Sequence, residues 1–134
     1  EMAYYRKLKQ GFDVKNKDGI LIDNKKVTKA PKPAKSYAFC SDTAYYESIV
    51  PIIKGVDVLY HESTFLEKNA ELAIKTKHST AKEAALIAKS ADVGLLILGH
   101  YSTRYDDLKE FKKEAQTVFK SVELAADGKK FNFD

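Results

Sequence analysis

Three stretches of this sequence run from apolar residues straight into groups that can bind a cation or carry a proton. "LILGHYSTRY" (96–105) ends its aliphatic run at His100, with Ser102 and Arg104 just beyond. "VDVLYHEST" (56–64) ends at His61 and Glu62, and "SYAFCSDT" (36–43) runs out at Asp42. The third histidine, His78, lies in "TKHST", directly before a helix signal. An aspartate and neutral imidazoles form a donor set for zinc or manganese. A carboxylate can also bridge two such ions about 3.5–4 Å apart, and imidazole is suited to proton transfer near neutral pH. These residues are far apart in sequence, and there is no HxH or HExxH spacing to make a local metal motif.

Only a fold can gather them. "SYAFC", "VDVLYH" and "VGLLILG" read as apolar strands, the last suited to a sheet covered on both faces. Residues 45–54 place Tyr45, Ile49, Ile52 and Ile53 at helical spacing, interrupted by Pro51, and residues 65–75 read as helical. Thr80 and Glu83 have the spacing of a capping box, and Ala84, Ile87, Ala88 and Ala91 form the inner face of the helix that follows. Asp107 is placed to cap a further helix lined by Leu108, Phe111, Ala115 and Val118. "SVELA" and "KFNF" read as closing strands around a turn at Asp127-Gly128, with mixed pairing at that end. This is an α/β order. If the first three strands are parallel, Asp42, His61 and His100 reach one edge of the sheet, where ligands collect in such folds. The loop of His78 can reach the same edge. A single histidine at a strand end is commonly structural; polar breaks at three successive strand ends favour a gathered site.

The segment before Ser36 differs in character. It opens with a short helix that Gly11 stops. A turn at Asp18-Gly19 precedes a short "ILI" strand, and Pro31 and Pro33 set an extended lead-in. Residues 1–35 hold ten Lys or Arg against four acids, whereas residues 36–134 hold thirteen against fifteen. Such a basic stretch suits either a polyanion such as RNA or plain solvent. We read residues 1–35 as a basic, irregular lead-in to the same domain as residues 36–134. One cysteine, Cys40, excludes an internal disulfide and a thiolate-rich zinc site, and a buried thiol in a cytoplasmic setting is expected. No apolar run approaches the ~18 residues of a membrane span, and the first residues do not form a signal peptide. Met2 is the only methionine and is not first, so the chain reads as part of a longer one.

Taken together and in order, "FCSDT", "YHESTF", "KHSTAKEAALIA" and "LGHYSTRY" resemble the C-terminal part of ribonuclease Z, the metallo-β-lactamase-fold endonuclease family that trims precursor tRNA at the 3′ end. The family's His-Glu-Ala-Thr stands here as His61-Glu62-Ser63-Thr64, its His-Ser-Thr loop is unchanged at 78–80, and His-x-Ser-x-Arg-Tyr is present at 100–105. "YRKLKQGFDVKNKDG" resembles the stretch that precedes the metal-bridging aspartate. The implied fold is the C-terminal half of an αββα sandwich, with one mixed sheet and flanking helices.

The resemblance also implies roles. Asp42 would bridge two zinc ions, and His100 would ligate one of them. His78 would give a proton to the leaving oxygen, and Glu62 would orient that network. Arg104, with Ser102, would hold phosphate of the RNA. His61 would be structural or lie behind the ligands, and Tyr105 suits packing as well as function. The family's main zinc motif, His-x-His-x-Asp-His, is absent. Two ligands are too few for tight zinc binding, so the chain alone is expected to be inactive and to expose an apolar sheet face. Precursor tRNA, the absent N-terminal half and a second copy in a homodimer are the expected partners. Manganese tolerates the same ligands as zinc. Two other readings use the same residues: a different phosphodiesterase of the superfamily, or a metal-free RNA-binding or dimerisation domain.

Overall fold

A computed structural model describes residues 2–132. The chain divides into two compact units, residues 1–34 and 35–134. In the first, helix α1 (Met2–Lys9) is followed by a small antiparallel ribbon, β1 (Val14–Lys15) and β2 (Leu21–Ile22). Asn16 builds its turn: the side-chain carbonyl accepts from the backbone N–H groups of Asp18 (3.0 Å) and Ile20 (2.8 Å), an Asx turn that lets the strands reverse. Asp23 caps the short helix α2 (Asn24–Val27), accepting from Lys25 N. The stretch that reads as irregular in sequence is thus a set of short, locally hydrogen-bonded pieces.

The second unit is built on a four-stranded sheet of β3 (Tyr37–Cys40), β4 (Val58–Glu62), β5 (Leu95–Gly99) and β6 (Val122–Leu124). All three pairings are parallel and neighbours follow chain order. Antiparallel pairing therefore occurs only in the separate β1–β2 ribbon among the described residues. β6 joins the edge parallel to β5, because α5 (Lys109–Gln116) carries the chain back to the start of the sheet. "KFNF" makes no strand at residues 131–132, and Phe133 lies outside the described residues.

Chain-ordered parallel strands have a geometric consequence. Crossovers are right-handed, so every connection in such a series lies over the same face. That face carries the core. Leu59, Leu96 and Leu98 meet α4 (Ala81–Ser90) and α5, and Ala84, Ala85, Ile87, Ala88, Phe111 and Ala115 are all fully buried. The alanines leave little between helix and sheet, which lets α4 lie close. Its first turn is fixed by the capping box: Thr80 Oγ1 accepts from Glu83 N (3.1 Å) and Glu83 Oε2 from Thr80 N (2.8 Å). Residues 45–54 make only a 3₁₀ turn at Glu47–Ile49. Tyr45, Ile49 and Ile53 do pack on the core, but Ile52 is 82% exposed. Their spacing is met by a loop in which Pro51 forbids continuous helix, whereas the stretch 65–75, which reads as helical, makes a 3₁₀ turn at Glu67–Asn69 and helix α3 (Ala70–Thr76).

None of the described helices within residues 35–134 lies over the other face. Phe39 stacks on Tyr60 at 4.6 Å, and Phe39 remains 64% exposed. A groove of about 500 Å³ lies along this face, lined by Tyr37, Phe39, Tyr60, Ile97, Lys129 and Phe131. Cys40 points the other way and packs partly buried against the core, and burial pushes its thiol up from the ordinary value.

Register at the start of the sheet is held by Asp57. Its carboxylate accepts from Ser36 N (2.8 Å), Ser36 Oγ (2.9 Å) and Lys35 Nζ (3.2 Å). The Ser36 bonds chiefly, with Lys35, hold its carboxyl down at about 2. A depressed carboxyl stabilises the fold above its unfolded value of ~4, and that contribution disappears as pH falls from there toward 2. The stability difference between the parent and Asp57→Asn should therefore be full near neutrality and shrink across that acid window in denaturant melts. Next to it, a Cβ on Gly94 would lie 2.6 Å from the Asp57 carbonyl oxygen. Gly94→Ala should cost ~1–3 kcal/mol by overpacking, read as a lower melting midpoint at unchanged m-value.

Candidate metal and phosphate site

The parallel register brings the strand ends together. Cys40 is opposite His61, and Glu62 is opposite Gly99. Asp42 follows two residues after β3 and His100 directly after β5. Both have left-handed backbones, with φ of +50° and +59°. Asp and His tolerate this region better than most residues. The turn breaks strand alternation and sends both side chains over the sheet edge. His78 arrives from the loop before α4, which is pinned to the same edge. Phe65 and Thr80 form a parallel bridge, Ala81 N donates to Phe65 O (2.9 Å), and Ser79 Oγ donates to Thr43 O (2.7 Å). Ligand atoms of Asp42, His78 and His100 then all lie within 4.8 Å of one another.

Glu62 lies beneath this cluster, fully buried. Strand alternation turns it toward the site and turns His61 the other way, among the helices. One oxygen of Glu62, Oε1, accepts from Thr43 N and from the His78 ring at Nδ1, both at 2.8 Å. The other, Oε2, accepts from Thr64 Oγ1 (2.7 Å), Ser79 N (3.2 Å) and Thr64 N (3.3 Å). Burial alone would raise this carboxyl; the bonds from Thr64, His78, Ser79 and Thr43 outweigh burial and hold it below the ordinary value. Magnitudes agree with that outcome. Burying a carboxylate costs several kcal/mol, and five hydrogen bonds to a charged acceptor at ~1.5–3 kcal/mol each more than offset it.

Hydrogen-bond donors now fix the rings. An ionised Glu62 only accepts, so His78 carries hydrogen on Nδ1 and leaves Nε2 for the cluster. His100 Nδ1 lies 2.8 Å from Thr64 Oγ1, and its Nε2 lies 3.3 Å from Asp42 Oδ1. With His100 neutral and hydrogen on Nδ1, Nε2 and Oδ1 both present lone pairs. Two lone pairs at that distance repel unless a cation or a second ring proton lies between them. The set of one carboxylate and two outward imidazole nitrogens therefore fits a divalent metal ion.

Arg104 is exposed beside the cluster, held at Nε by Ser102 Oγ (3.1 Å), with its guanidinium 5.5 Å over the Phe65 ring. Tyr105 has internal partners: its hydroxyl donates to Asn69 Oδ1 (2.7 Å) and accepts from Leu66 N (3.1 Å), and its ring packs edge-on against Phe111. His61 is fully buried. Its Nδ1–H donates to the Glu62 carbonyl (2.8 Å), and Nε2 has no partner among the described residues. Burial lowers its pKa, opposed by that hydrogen bond and by Glu62 and Glu83. Sequence reasoning missed Thr43 and Thr64. Thr43 contributes a backbone N–H, which has no sequence signature, whereas Thr64 could have been found from its place two residues after a strand-end glutamate.

Superposition on solved structures shows the fold to be that of the metallo-β-lactamase-fold proteins. Such a protein from Bacillus subtilis, YhfI, superposes with a TM-score of 0.66 at 29% identity, over 71% of this chain and 39% of that one. A long form RNase Z from yeast superposes with a TM-score of 0.59 at 28% identity, over 66% of this chain and 12% of that one. In sequence, the chain is 47% identical to the ribonuclease Z of Parabacteroides distasonis over 123 residues, covering 92% of the chain and 40% of that protein. It is 50% identical to the ribonuclease Z of Porphyromonas gingivalis over 119 residues, covering 89% of the chain and 39% of that protein. No family model matches the chain. Over about nine tenths of its length the chain is thus similar to ribonuclease Z proteins, and it spans about 40% of the length of these curated relatives.

The hub predicts a large local cost. Glu62→Gln places an amide N–H₂ against donors that converge on a carboxylate, and should destabilise the chain by ~1–3 kcal/mol in neutral-pH denaturant melts.

Proposed function

We propose that this chain supplies one side of a dinuclear metal centre in an endoribonuclease that cleaves precursor tRNA and removes its 3′ trailer. The observation that carries the reading is the cluster of Asp42, His78 and His100, gathered from the ends of β3 and β5 and from the loop before α4, in a chain similar to ribonuclease Z over nine tenths of its length. Asp42 and His100 would hold metal ions there. The ions would be zinc, with manganese as the alternative, and their remaining ligands would come from the part of the relatives that the chain does not span. Bound there, the ions would supply Lewis acidity for attack of water on the phosphodiester.

His78 does not ligate in this reading. Its Nε2 carries the proton that passes to the leaving 3′ oxygen of the tRNA, and Glu62 at Nδ1 holds the ring in the orientation for that transfer. Arg104 presents a planar fork to a phosphate of the RNA, with Ser102 and Phe65 limiting its rotamers, so less freedom is lost on binding. The products are a tRNA with a 3′-hydroxyl and a trailer with a 5′-phosphate. The aromatic sheet face is covered in the whole enzyme, which works as a homodimer in the cytoplasm. No described helix is long and apolar enough to cross a membrane.

The test uses an enzyme that contains this chain together with the rest of its relatives' length. His78→Ala should lower kcat on precursor tRNA by ~10²–10⁴ with metal content unchanged. Asp42→Ala should lose both metal and turnover, and a chelator should reproduce that loss in the parent. Parent-like rates in both variants would refute the assignment.

A further inference from the structure

We propose that Thr64 is a positioning residue: its hydroxyl locks the His100 ring with hydrogen on Nδ1, leaving Nε2 as the electron-pair donor toward Asp42. Glu62 is surrounded by donors, three of them backbone N–H groups, from Thr43, Thr64 and Ser79. An acceptor so placed takes the one hydroxyl proton of Thr64, at 2.7 Å. With that proton spent, Thr64 Oγ1 can only accept from its second neighbour, His100 Nδ1, at 2.8 Å. The hydrogen must then belong to His100. A histidine side chain free in water prefers the opposite tautomer, so the protein is imposing a choice.

The relay is braced from both sides. Ser63 N donates to Gly99 O (2.8 Å) and Ser102 N donates to Thr64 O (3.1 Å), which ties the backbone around Thr64 to the backbone around His100. Thr64 is only 7% exposed, so water is poorly placed to replace its hydroxyl. Glu62 thus sets two imidazoles at once: His78 directly through Oε1, and His100 through Thr64 and Oε2. His78 supplies an internal control, because its tautomer does not pass through Thr64.

That Nε2 faces a metal ion rests on the function proposed above; the tautomer rests on the hydrogen bonds alone. The experiment records long-range ¹H–¹⁵N correlations of the histidine rings in the ¹⁵N-labelled chain at about pH 9, well above the ordinary imidazole value of ~6.5. The parent should show hydrogen on Nδ1 in both His78 and His100. Thr64→Val should move His100 toward the Nε2–H form and leave His78 unchanged, whereas Thr64→Ser should keep the parent pattern. Zinc titration of the same samples should show affinity lowered ~10–100-fold in Thr64→Val and retained in Thr64→Ser. An Nε2–H tautomer for His100 in the parent overturns the proposal, whatever the folding of the variants. So does an Nδ1–H tautomer that persists in folded Thr64→Val. A tautomer reversal with zinc affinity unchanged would leave the relay standing and remove His100 from the metal set, so the two readings fail separately.

Discussion

One buried carboxylate joins every segment that reaches the sheet edge. Glu62 accepts from the loop after β3 through Thr43, from the end of its own strand through Thr64, and from the loop before α4 through His78 and Ser79. A charge in that position is costly unless each lone pair is met, and here each one is. The requirement works in both directions. The donors hold the charge, and the charge holds three loops that are otherwise distant in sequence. The positions of Asp42 and His100 follow from it, since each lies one or two residues from a group that Glu62 fixes directly or through Thr64.

The sheet supplies the platform for this arrangement. Its strands lie in chain order and all run parallel, so their connections share one face and their C-terminal ends share one edge. The first fact places the alanine-rich helix and Phe111 against Leu59, Leu96 and Leu98. The second places the polar residues of three successive strand ends side by side. It also leaves an aromatic face with Phe39 and Tyr60 in contact with solvent. A sandwich with a second sheet covers such a face, which agrees with a chain that spans about 40% of its relatives.

Much of this was legible in the sequence, for physical reasons. Long aliphatic runs bounded by polar residues mark buried parallel strands, and a Thr three residues before a Glu marks a helix start. Both readings depend on local chemistry that tertiary packing did not override. The spacing of Tyr45, Ile49, Ile52 and Ile53 misled because a loop that touches the core at intervals gives a helix-like pattern, and Pro51 was the better guide. The pairing direction of β6 was not legible, since direction is set by how α5 returns the chain rather than by the strand's own residues. At the site, Asp42, His78 and His100 could be proposed from residue type and position. Their orientation could not, because it depends on a threonine hydroxyl and on backbone N–H groups that have no residue type.

The chain-ordered sheet also bears on how the polypeptide assembles during synthesis. As the chain lengthens from its N-terminal end, β4 emerges when β3 is already available, β5 finds β4, and β6 finds β5. Each addition closes one loop of moderate length, and no strand has to be inserted between two that have already paired. Parallel sheets are slow to form when distant segments must meet, and a sheet extended at one edge avoids most of that delay. The same order leaves the newest strand as an unpaired edge at each stage, which is the part of a growing domain most exposed to wrong pairing.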